Sequence, residues 1–379
     1  MSKVVYLDYN AGAPARPEVA AAMVEALAEA GNPSSIHGPG RAARHRVEQA
    51  RVGVADLVEA EPAGVIFTSG GTEANALALS GCGRSRRIVS AVEHPSVLDA
   101  GPVELIAVDG DGVIDLAALD ALLAGDSRSA VVSVMLANNE TGVIQPVAEA
   151  ARIAHAHGAL FHCDAAQAAG RIGVSLLRLG VDVLTLSAHK MGGPSGVGAL
   201  VLADSGFVLA PILRGGGQER RRRAGTENVP GIAGFGAAAR LVRDDLLLGD
   251  TISIQCGMRD RLERDAVARV PQAVVIGAGV ARLPNTSCLA LPGLAAQTQV
   301  MALDLAGVAI SAGAACSSGK VAESRVLAAM GLAPDVRSSA VRVSLGWASR
   351  PEDVERFLDA WSELARRKGF EVFGAVEAA

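Results

Sequence analysis

Residues 131–164 read VVSVMLANNETGVIQPVAEAARIAHAHGALFHCD, and the order of the segments within them indicates the fold class of the chain. The runs VVSVML and ALFHCD have the length and apolar character of buried strands. Between them, the alanine-rich stretch VAEAARIAHAH predicts a helix. Strands joined through a crossover helix pair in parallel, so the stretch predicts a strand–helix–strand unit of an α/β sheet.

The same alternation continues on both sides of this unit. Further strand-like runs stand at Val65–Thr68, Arg87–His94, Val183–Ser187 and Gly198–Ala203, and Thr72–Ser80 predicts another crossover helix. The pattern predicts a mostly parallel central sheet. At 379 residues the chain is too long for one ordinary core, and after Asn228 the pattern changes to a long helical stretch and then to helices and strands of a second, smaller domain.

Composition excludes several classes of protein. The net charge of −5 and the lack of a large basic cluster argue against nucleic-acid binding. No apolar window approaches the roughly 20 residues of a membrane span, so we expect a cytoplasmic protein without a membrane partner. The five cysteines form no C-x-x-C pair, which predicts reduced thiols and no zinc site. Four of them are expected to be small buried hydrophobes, and Cys316 is considered separately below.

Polar residues follow three of the predicted strands, where ligands bind in open α/β sheets. Gly71 and Thr72 begin a helix whose N–H groups could hold a phosphate. Asp164 could balance the ring nitrogen of a cofactor, and Lys190 is placed where partial burial lowers the pKa of an amine that forms Schiff bases. Taken singly, Thr72 and Asp164 could be helix caps and Lys190 a solvated lysine. Taken together, they are the phosphate anchor, ring partner and amine that pyridoxal phosphate needs.

Longer motifs support this interpretation. They are YLDYNAGAP at Tyr6–Pro14, GNPSSIHGPG at Gly31–Gly40, VEHPSVL at Val92–Leu98, NNETGVIQP at Asn138–Pro146, GGGQER at Gly215–Arg220 and RAGTEN at Arg223–Asn228. With them, nearly the whole chain resembles the cysteine desulfurases of the NifS/IscS type, which are class V aminotransferase-like enzymes of fold type I. The resemblance implies a large cofactor-binding domain of residues 13–250 and a small α/β domain of residues 1–12 and 251–379.

The resemblance also implies roles for individual residues. Gly71, Thr72, Ser187 and His189 would hold the phosphate of pyridoxal phosphate, His94 would stack on its ring, and Asp164 would pair with the ring nitrogen. Asn139 and Gln167 would lie at the ring's hydroxyl side. Thr226 would reach the phosphate of a neighbouring subunit, which implies a homodimer.

The sulfur chemistry is assigned to the last third of the chain. Ile310–Gly319, ISAGAACSSG, has the composition of a mobile loop, and the resemblance makes its Cys316 the sulfur acceptor. It makes Arg342, assisted by Asn139, the anchor for the substrate carboxylate. Without the resemblance, Cys316 would be a small turn residue and Arg342 an edge-strand arginine in a surface ion pair.

The implied activity is removal of sulfur from L-cysteine, giving L-alanine and a persulfide on Cys316. His94 is a candidate base for the thiol proton. The sulfur would pass to an acceptor, an iron–sulfur scaffold or a sulfur carrier. A selenocysteine lyase or a small-amino-acid aminotransferase of the same fold is the alternative, and neither needs the loop thiol. A nicotinamide-dependent reductase lacks its glycine motif here, and His155 with His157 has the wrong helical spacing for a metal pair.

Overall fold

The strands form three sheets in the computed structural model, which describes residues 4–313 and 323–374. The strands are β1 Val5–Tyr6, β2 Val65–Thr68, β3 Arg86–Ser90, β4 Glu104–Ile106, β5 Ala130–Ser133, β6 Leu160–Asp164, β7 Val183–Ser187, β8 Gly198–Leu202, β9 Val274–Ile276, β10 Thr286–Ala290, β11 Val308–Ala309 and β12 Ala340–Ser344.

The largest sheet has seven strands in the order β2-β8-β7-β6-β5-β3-β4. All neighbouring pairs are parallel except those of β8, which runs antiparallel to β2 and to β7. The predicted mostly parallel sheet is confirmed. The carboxyl ends of β5, β6 and β7 therefore meet at one edge, where the chain continues into its polar loops.

Helices cover the sheets. They are α1 Pro17–Ala28, α2 Gly38–Leu57, α3 Gly71–Gly81, α4 Pro95–Leu98, α5 Leu116–Ala124, α6 Val147–Ala156, α7 Leu176–Leu179, α8 Val229–Leu248, α9 Asp250–Arg269, α10 Ala296–Leu305, α11 Arg325–Ala329, α12 Pro334–Ser339 and α13 Pro351–Arg367. The predicted crossover helices correspond to α3 and α6 within one residue at each end.

The two largest of the apolar clusters in the described chain lie in different parts of this arrangement. One packs around the seven-stranded sheet and includes Phe161 and Leu184. The other lies beneath the three-stranded antiparallel sheet β12-β10-β9 and includes Leu289 and Trp361. Leu7 belongs to this second core, and β1 pairs in parallel with β11, so the start of the described chain packs with its last third. The domain bounds given above stay a prediction.

Strand ends differ from the sequence-based expectation where the chain turns toward the sheet edge. The runs predicted to end at His94 and Leu136 stop pairing regularly at Ser90 and Ser133. The strand-like apolar pattern continues past Ser90 and Ser133, because residues beyond them, such as Val92, Val134 and Leu136, are also buried. Burial alone gives a strand-like pattern, so the pattern could not show where regular pairing stops.

Candidate active site

A cavity of about 370 Å³ lies at the carboxyl edge of the large sheet. All predicted site residues of the described chain line it, with the exception of Thr226. They are Gly71, Thr72, His94, Asn139, Asp164, Gln167, Ser187, His189, Lys190 and Arg342. Thr226 is exposed in the segment that precedes α8, and Cys316 lies outside the described residues.

Lys190 reaches the cavity from a single turn that follows β7. Its Nζ donates to the backbone oxygens of Asn10, at 2.6 Å, and of Ala11, at 3.0 Å. Asn10 is itself buried and fixed by the last third of the chain, since its amide N–H donates to Ser344 Oγ and its Nδ2 donates to Thr286 Oγ1. The amine is thus positioned by a segment 180 residues away.

The amino end of α3 forms one wall of the cavity. Its N-cap is Gly70, which has no side chain to accept from the first amides of the helix, so the N–H groups of Gly71 and Thr72 are available to a ligand. Thr72 is therefore not the helix cap that was one possibility from sequence. Glu73 supports this end by accepting from Ser69 N at 2.7 Å and from Arg223 Nε at 2.8 Å.

Asp164 and His94 belong to one hydrogen-bonded network. Asp164 Oδ2 accepts from Asn75 Nδ2 at 2.8 Å, and the same Asn75 nitrogen donates to Ser96 Oγ at 2.9 Å. His94 Nδ1 accepts from Ser96 N at 3.1 Å and lies 2.8 Å from Ser96 Oγ. A backbone N–H requires a lone pair on its acceptor, so the proton of neutral His94 is on Nε2.

The histidines of the site are held neutral. Burial lowers the pKa of His94, and Lys190 adds to that effect while Asp164 opposes it. Burial, together with the positive charges of Lys190 and Arg171, lowers the pKa of His189 to about 4. Neutral His189 keeps Nδ1 at 2.9 Å from Ser187 Oγ. An anionic ligand here would therefore be bound by N–H and O–H donors, with Lys190 supplying the nearby charge.

A second carboxyl group, Glu93, lies close to Asp164. It is fully buried, and burial raises its pKa well above the ordinary value, although a 2.5 Å hydrogen bond from Met135 N favours the charged form. Burial and the nearby charge of Asp164 thus both favour the protonated form of Glu93. Of the two carboxyl groups, Asp164 lines the cavity and Glu93 does not.

His162 gives the site region a testable pH dependence. It is completely buried on β6, between Ser133 Oγ at 2.8 Å and Thr185 Oγ1 at 3.0 Å, and burial lowers its pKa to about 4. The unfolded chain, with an ordinary histidine pKa near 6.5, binds more protons between these values, so stability is lost as pH falls from about 6.5 to 4. Replacing His162 by Gln should remove this loss, which is on the order of 3 kcal/mol.

The measurement is the free energy of unfolding of both proteins by denaturant at pH 7 and pH 4. Other groups titrate in the same range, but they contribute equally to the two proteins and cancel in the comparison. Equal losses of stability in the wild-type protein and the His162→Gln variant would show that His162 does not contribute.

Arg342 lines the cavity from the three-stranded sheet β12-β10-β9. It lies on β12, an edge strand, yet it is only 2% exposed, so the alternative of a surface ion pair is wrong. Its Nη2 donates to Asp8 Oδ1 at 2.7 Å and its Nη1 to Asn139 O at 2.9 Å. Its Nε is buried and has no hydrogen-bond partner among the described residues. A buried guanidinium with an unused N–H is suited to a carboxylate ligand.

Both ends of the segment that contains Cys316 adjoin a single carboxyl group, that of Glu140. Ser324 Oγ donates to Glu140 Oε2 at 2.6 Å, and a side chain at Gly313 would begin 3.6 Å from the same oxygen. Glu140 directly follows Asn139, which lines the cavity. The described chain on either side of residues 314–322 therefore lies close to Glu140, on the side of the cavity that Asn139 lines.

The four described cysteines do not line the cavity. Cys82, Cys163 and Cys288 are buried as predicted, and burial raises the pKa of each thiol, to about 12 for Cys288. Cys256 is only partly buried, on α9 beside Arg259 and Asp260, so its prediction as a core residue is wrong. Its helix carries charges on consecutive residues, which could have indicated the exposed face.

Sequence reasoning missed several residues that hold the site together. Asn75 follows Thr72 by three positions on α3, and that spacing could have placed both on one helical face. Asn10 and Asp8 belong to the motif YLDYNAGAP, but their partners are hundreds of residues away and gave no local signal.

The two histidines of α6 and its C-cap, His155 and His157, contact different carboxylates. His155 hydrogen bonds to Asp182, and His157 hydrogen bonds to Asp120.

The chain is similar to known proteins over nearly its full length. Residues 5–357 match the aminotransferase class-V family. A cysteine desulfurase of Cereibacter sphaeroides is 43% identical, across 98% of this chain and 99% of its own. Among solved structures, a NifS-like protein from Rickettsia africae ESF-5 has a TM-score of 0.88 at 34% identity, covering 96% of this chain and 99% of its own. A structure of SspA in complex with cysteine has a TM-score of 0.77 at 26% identity, covering 90% and 98%.

Proposed function

Because this chain belongs to the class-V aminotransferase family, among its cysteine desulfurases, we propose that the cavity binds pyridoxal phosphate and L-cysteine and removes the sulfur atom. The observation that carries the proposal is the meeting of Lys190, Asp164 and Arg342 in one cavity, each with a different chemical environment. The amine of Lys190 can react with the cofactor's aldehyde, and the buried carboxylate of Asp164 can pair with its ring nitrogen. The guanidinium of Arg342, with its unused N–H, can bind the substrate carboxylate.

The hydrogen-bond donors and acceptors that line the cavity fit pyridoxal phosphate. The uncapped amino end of α3, with Ser187 and neutral His189, offers N–H and O–H donors to a phosphate. Asp164 is held by Asn75 and by the N–H of Ala166 at 2.9 Å, and its oxygens can accept one more donor, the protonated ring nitrogen. When bound, pyridoxal phosphate supplies an electron sink for bond breaking at the amino acid.

The other steps of the proposed reaction are assigned to individual residues of the chain. Lys190 Nζ holds the cofactor and exchanges protons at the substrate carbon. Arg342 and Asn139 orient the substrate carboxylate, and Thr226 serves the site of a neighbouring subunit in a homodimer. For His94, the hydrogen bond from Ser96 N occupies Nδ1. We therefore assign to it a hydrogen bond donated from Nε2, because a neutral imidazole keeps this proton, whereas the sequence favoured the role of a base.

Sulfur acceptance is assigned to Cys316. Three of the other cysteines are buried with raised pKa values, which suppresses the thiolate that attacks sulfur. In the balanced reaction, L-cysteine and the Cys316 thiol give L-alanine and a persulfide. The carbon–sulfur bond of the substrate breaks, a sulfur–sulfur bond forms on Cys316, and the substrate carbon takes a proton.

We place this activity in the reducing cytoplasm, where a sulfur-accepting thiol stays available. The described part of the chain holds no helix that is both long and apolar enough to cross a membrane, and its four cysteines are free thiols. The persulfide would be handed to an acceptor protein, an iron–sulfur scaffold or a sulfur carrier.

The test is to incubate the purified holoenzyme with L-cysteine and a dithiol and to measure alanine and sulfide. We expect alanine and sulfide in equal amounts, and alanine with enzyme-bound persulfide when the dithiol is omitted. Pyruvate in place of alanine, or transfer of the amino group to a keto acid, would contradict the proposal.

A further inference from the structure

Arg171 connects three parts of the site without lining the main cavity. It lies between β6 and α7, and its side chain is 6% exposed. Its Nη1 donates to the side-chain oxygen of Gln167 and, at 2.6 Å, to the Gln167 backbone oxygen. Its Nη2 donates to the backbone oxygens of Tyr9, at 3.2 Å, and of Lys190, at 3.3 Å. One guanidinium therefore joins the residue that carries the amine to a cavity-lining amide.

The charge of Arg171 has no carboxylate partner within the part of the chain that the structure describes. Asp245 borders the same small cavity, of about 40 Å³, but its carboxylate bonds to Arg16. Burial and the charge of Arg342 lower the pKa of Arg171 to about 9, so the group remains a cation at neutral pH. A buried cation that contacts only carbonyl oxygens is costly to maintain unless it acts on an anion nearby.

The contacts of Gln167 have only one consistent orientation. Arg171 can only donate, so the atom of Gln167 facing it must be Oε1. The backbone oxygen of Asn10 can only accept, and it lies 3.0 Å from Nε2. With the oxygen engaged by Arg171 and one amide hydrogen engaged by Asn10, the second hydrogen on Nε2 is the group left for a ligand in the cavity.

We propose that Arg171 is a positioning residue that fixes the Gln167 amide as a hydrogen-bond donor toward the ring oxygen of the bound cofactor. The inference rests on the function proposed above. The donated hydrogen bond and the positive charge both stabilise an anionic ring oxygen. Arg171 also places a positive charge beside the backbone of Lys190, so removing that charge should favour a proton on Lys190 Nζ when the cofactor is bound.

The test is a pH titration of the visible absorbance of the holoenzyme, which reports the proton at Lys190 Nζ. In the Arg171→Met variant we expect the midpoint to rise by about one pH unit, a tenfold gain in proton affinity, because a cation is removed. Arg171→Lys keeps the charge but not the forked donors, so its midpoint should rise less. Arg86→Met is the matched control, since Arg86 is equally buried but lies at the amino end of β3.

Gln167→Met separates an effect through Gln167 from a purely electrostatic one. If Arg171 acts through Gln167, the double variant should shift the midpoint by less than the sum of the two single variants. An unchanged midpoint in the Arg171 variants overturns the inference, and so does strict additivity. Should Arg171→Met not fold, Arg171→Gln, which also removes the charge, takes its place in the comparison. Failure of the wild-type protein to bind pyridoxal phosphate would instead refute the proposed function.

Discussion

Replacing Lys190 by alanine will abolish alanine production from L-cysteine, with a loss of about four orders of magnitude or more, the scale seen when a covalent catalytic group is removed. The reason is geometric as well as chemical. Lys190 Nζ is the amine that the backbone oxygens of Asn10 and Ala11 hold at the cavity. A substituted side chain leaves the phosphate donors of α3, Ser187 and His189 in place, so the variant should still bind the cofactor, without a covalent link.

The measurement combines turnover with mass spectrometry after borohydride reduction, which fixes the cofactor to the lysine that carries it. The reduced cofactor should be attached to the peptide that contains Lys190 in the wild-type protein, and this label should be absent from the variant. Lys368→Ala is the matched control, because Lys368 is exposed at the end of α13, and it should keep both label and activity. A label on another lysine, or activity retained in Lys190→Ala, would contradict the assignment.

Replacing Cys316 by serine should abolish persulfide and sulfide formation, with a loss of at least about a thousandfold, while the visible absorbance of the cofactor is unchanged. A hydroxyl is of similar size but does not provide the thiolate that attacks the substrate sulfur. The cavity residues that would hold the cofactor are all outside the substituted segment. Cofactor binding and sulfur acceptance are therefore expected to separate cleanly in this variant.

The readout is alkylation of the enzyme after a single turnover, followed by mass spectrometry for an added sulfur atom. Cys256→Ser provides the matched control, since Cys256 is the described thiol that is partly accessible, and it should retain full activity. A persulfide found on Cys256, or sulfide release that survives in Cys316→Ser, would show that another thiol accepts the sulfur.

Much of the fold could be predicted because the central sheet is buried on both faces. The strands β2 and β7 have the predicted bounds, and the residues that follow them and β6 reach the cavity as the strand-end rule requires. Lys190 and Asp164 were accessible to sequence reasoning for this reason. Asp164 ends β6 and Lys190 follows the end of β7 by three residues, and parallel strands bring such ends together.

The remainder depends on contacts between distant residues or on unusual backbone conformations. Glu219, Arg220 and Arg221 adopt left-handed conformations in succession, with φ of 42°, 55° and 65°. Such strain persists only where the surroundings compensate it, and here Glu219 forms a buried ion pair with Arg51 and accepts from Phe67 N. The run of arginines in this segment looks like a solvated surface in sequence, and nothing local indicates the buried partner.

The anchoring of Asn10 has a consequence for how the protein is made. Its amide N–H bonds to Ser344 Oγ, 334 residues further along the chain, and its side chain bonds to Thr286. While the protein is being synthesised, these partners leave the ribosome after the whole seven-stranded sheet, whose last strand ends at Leu202. The backbone oxygens that receive the Lys190 amine can take their final positions only after β12 has emerged. Assembly of the reactive centre is thus deferred to the end of translation, and a nascent chain truncated before Ser344 should fold its large sheet without completing that centre.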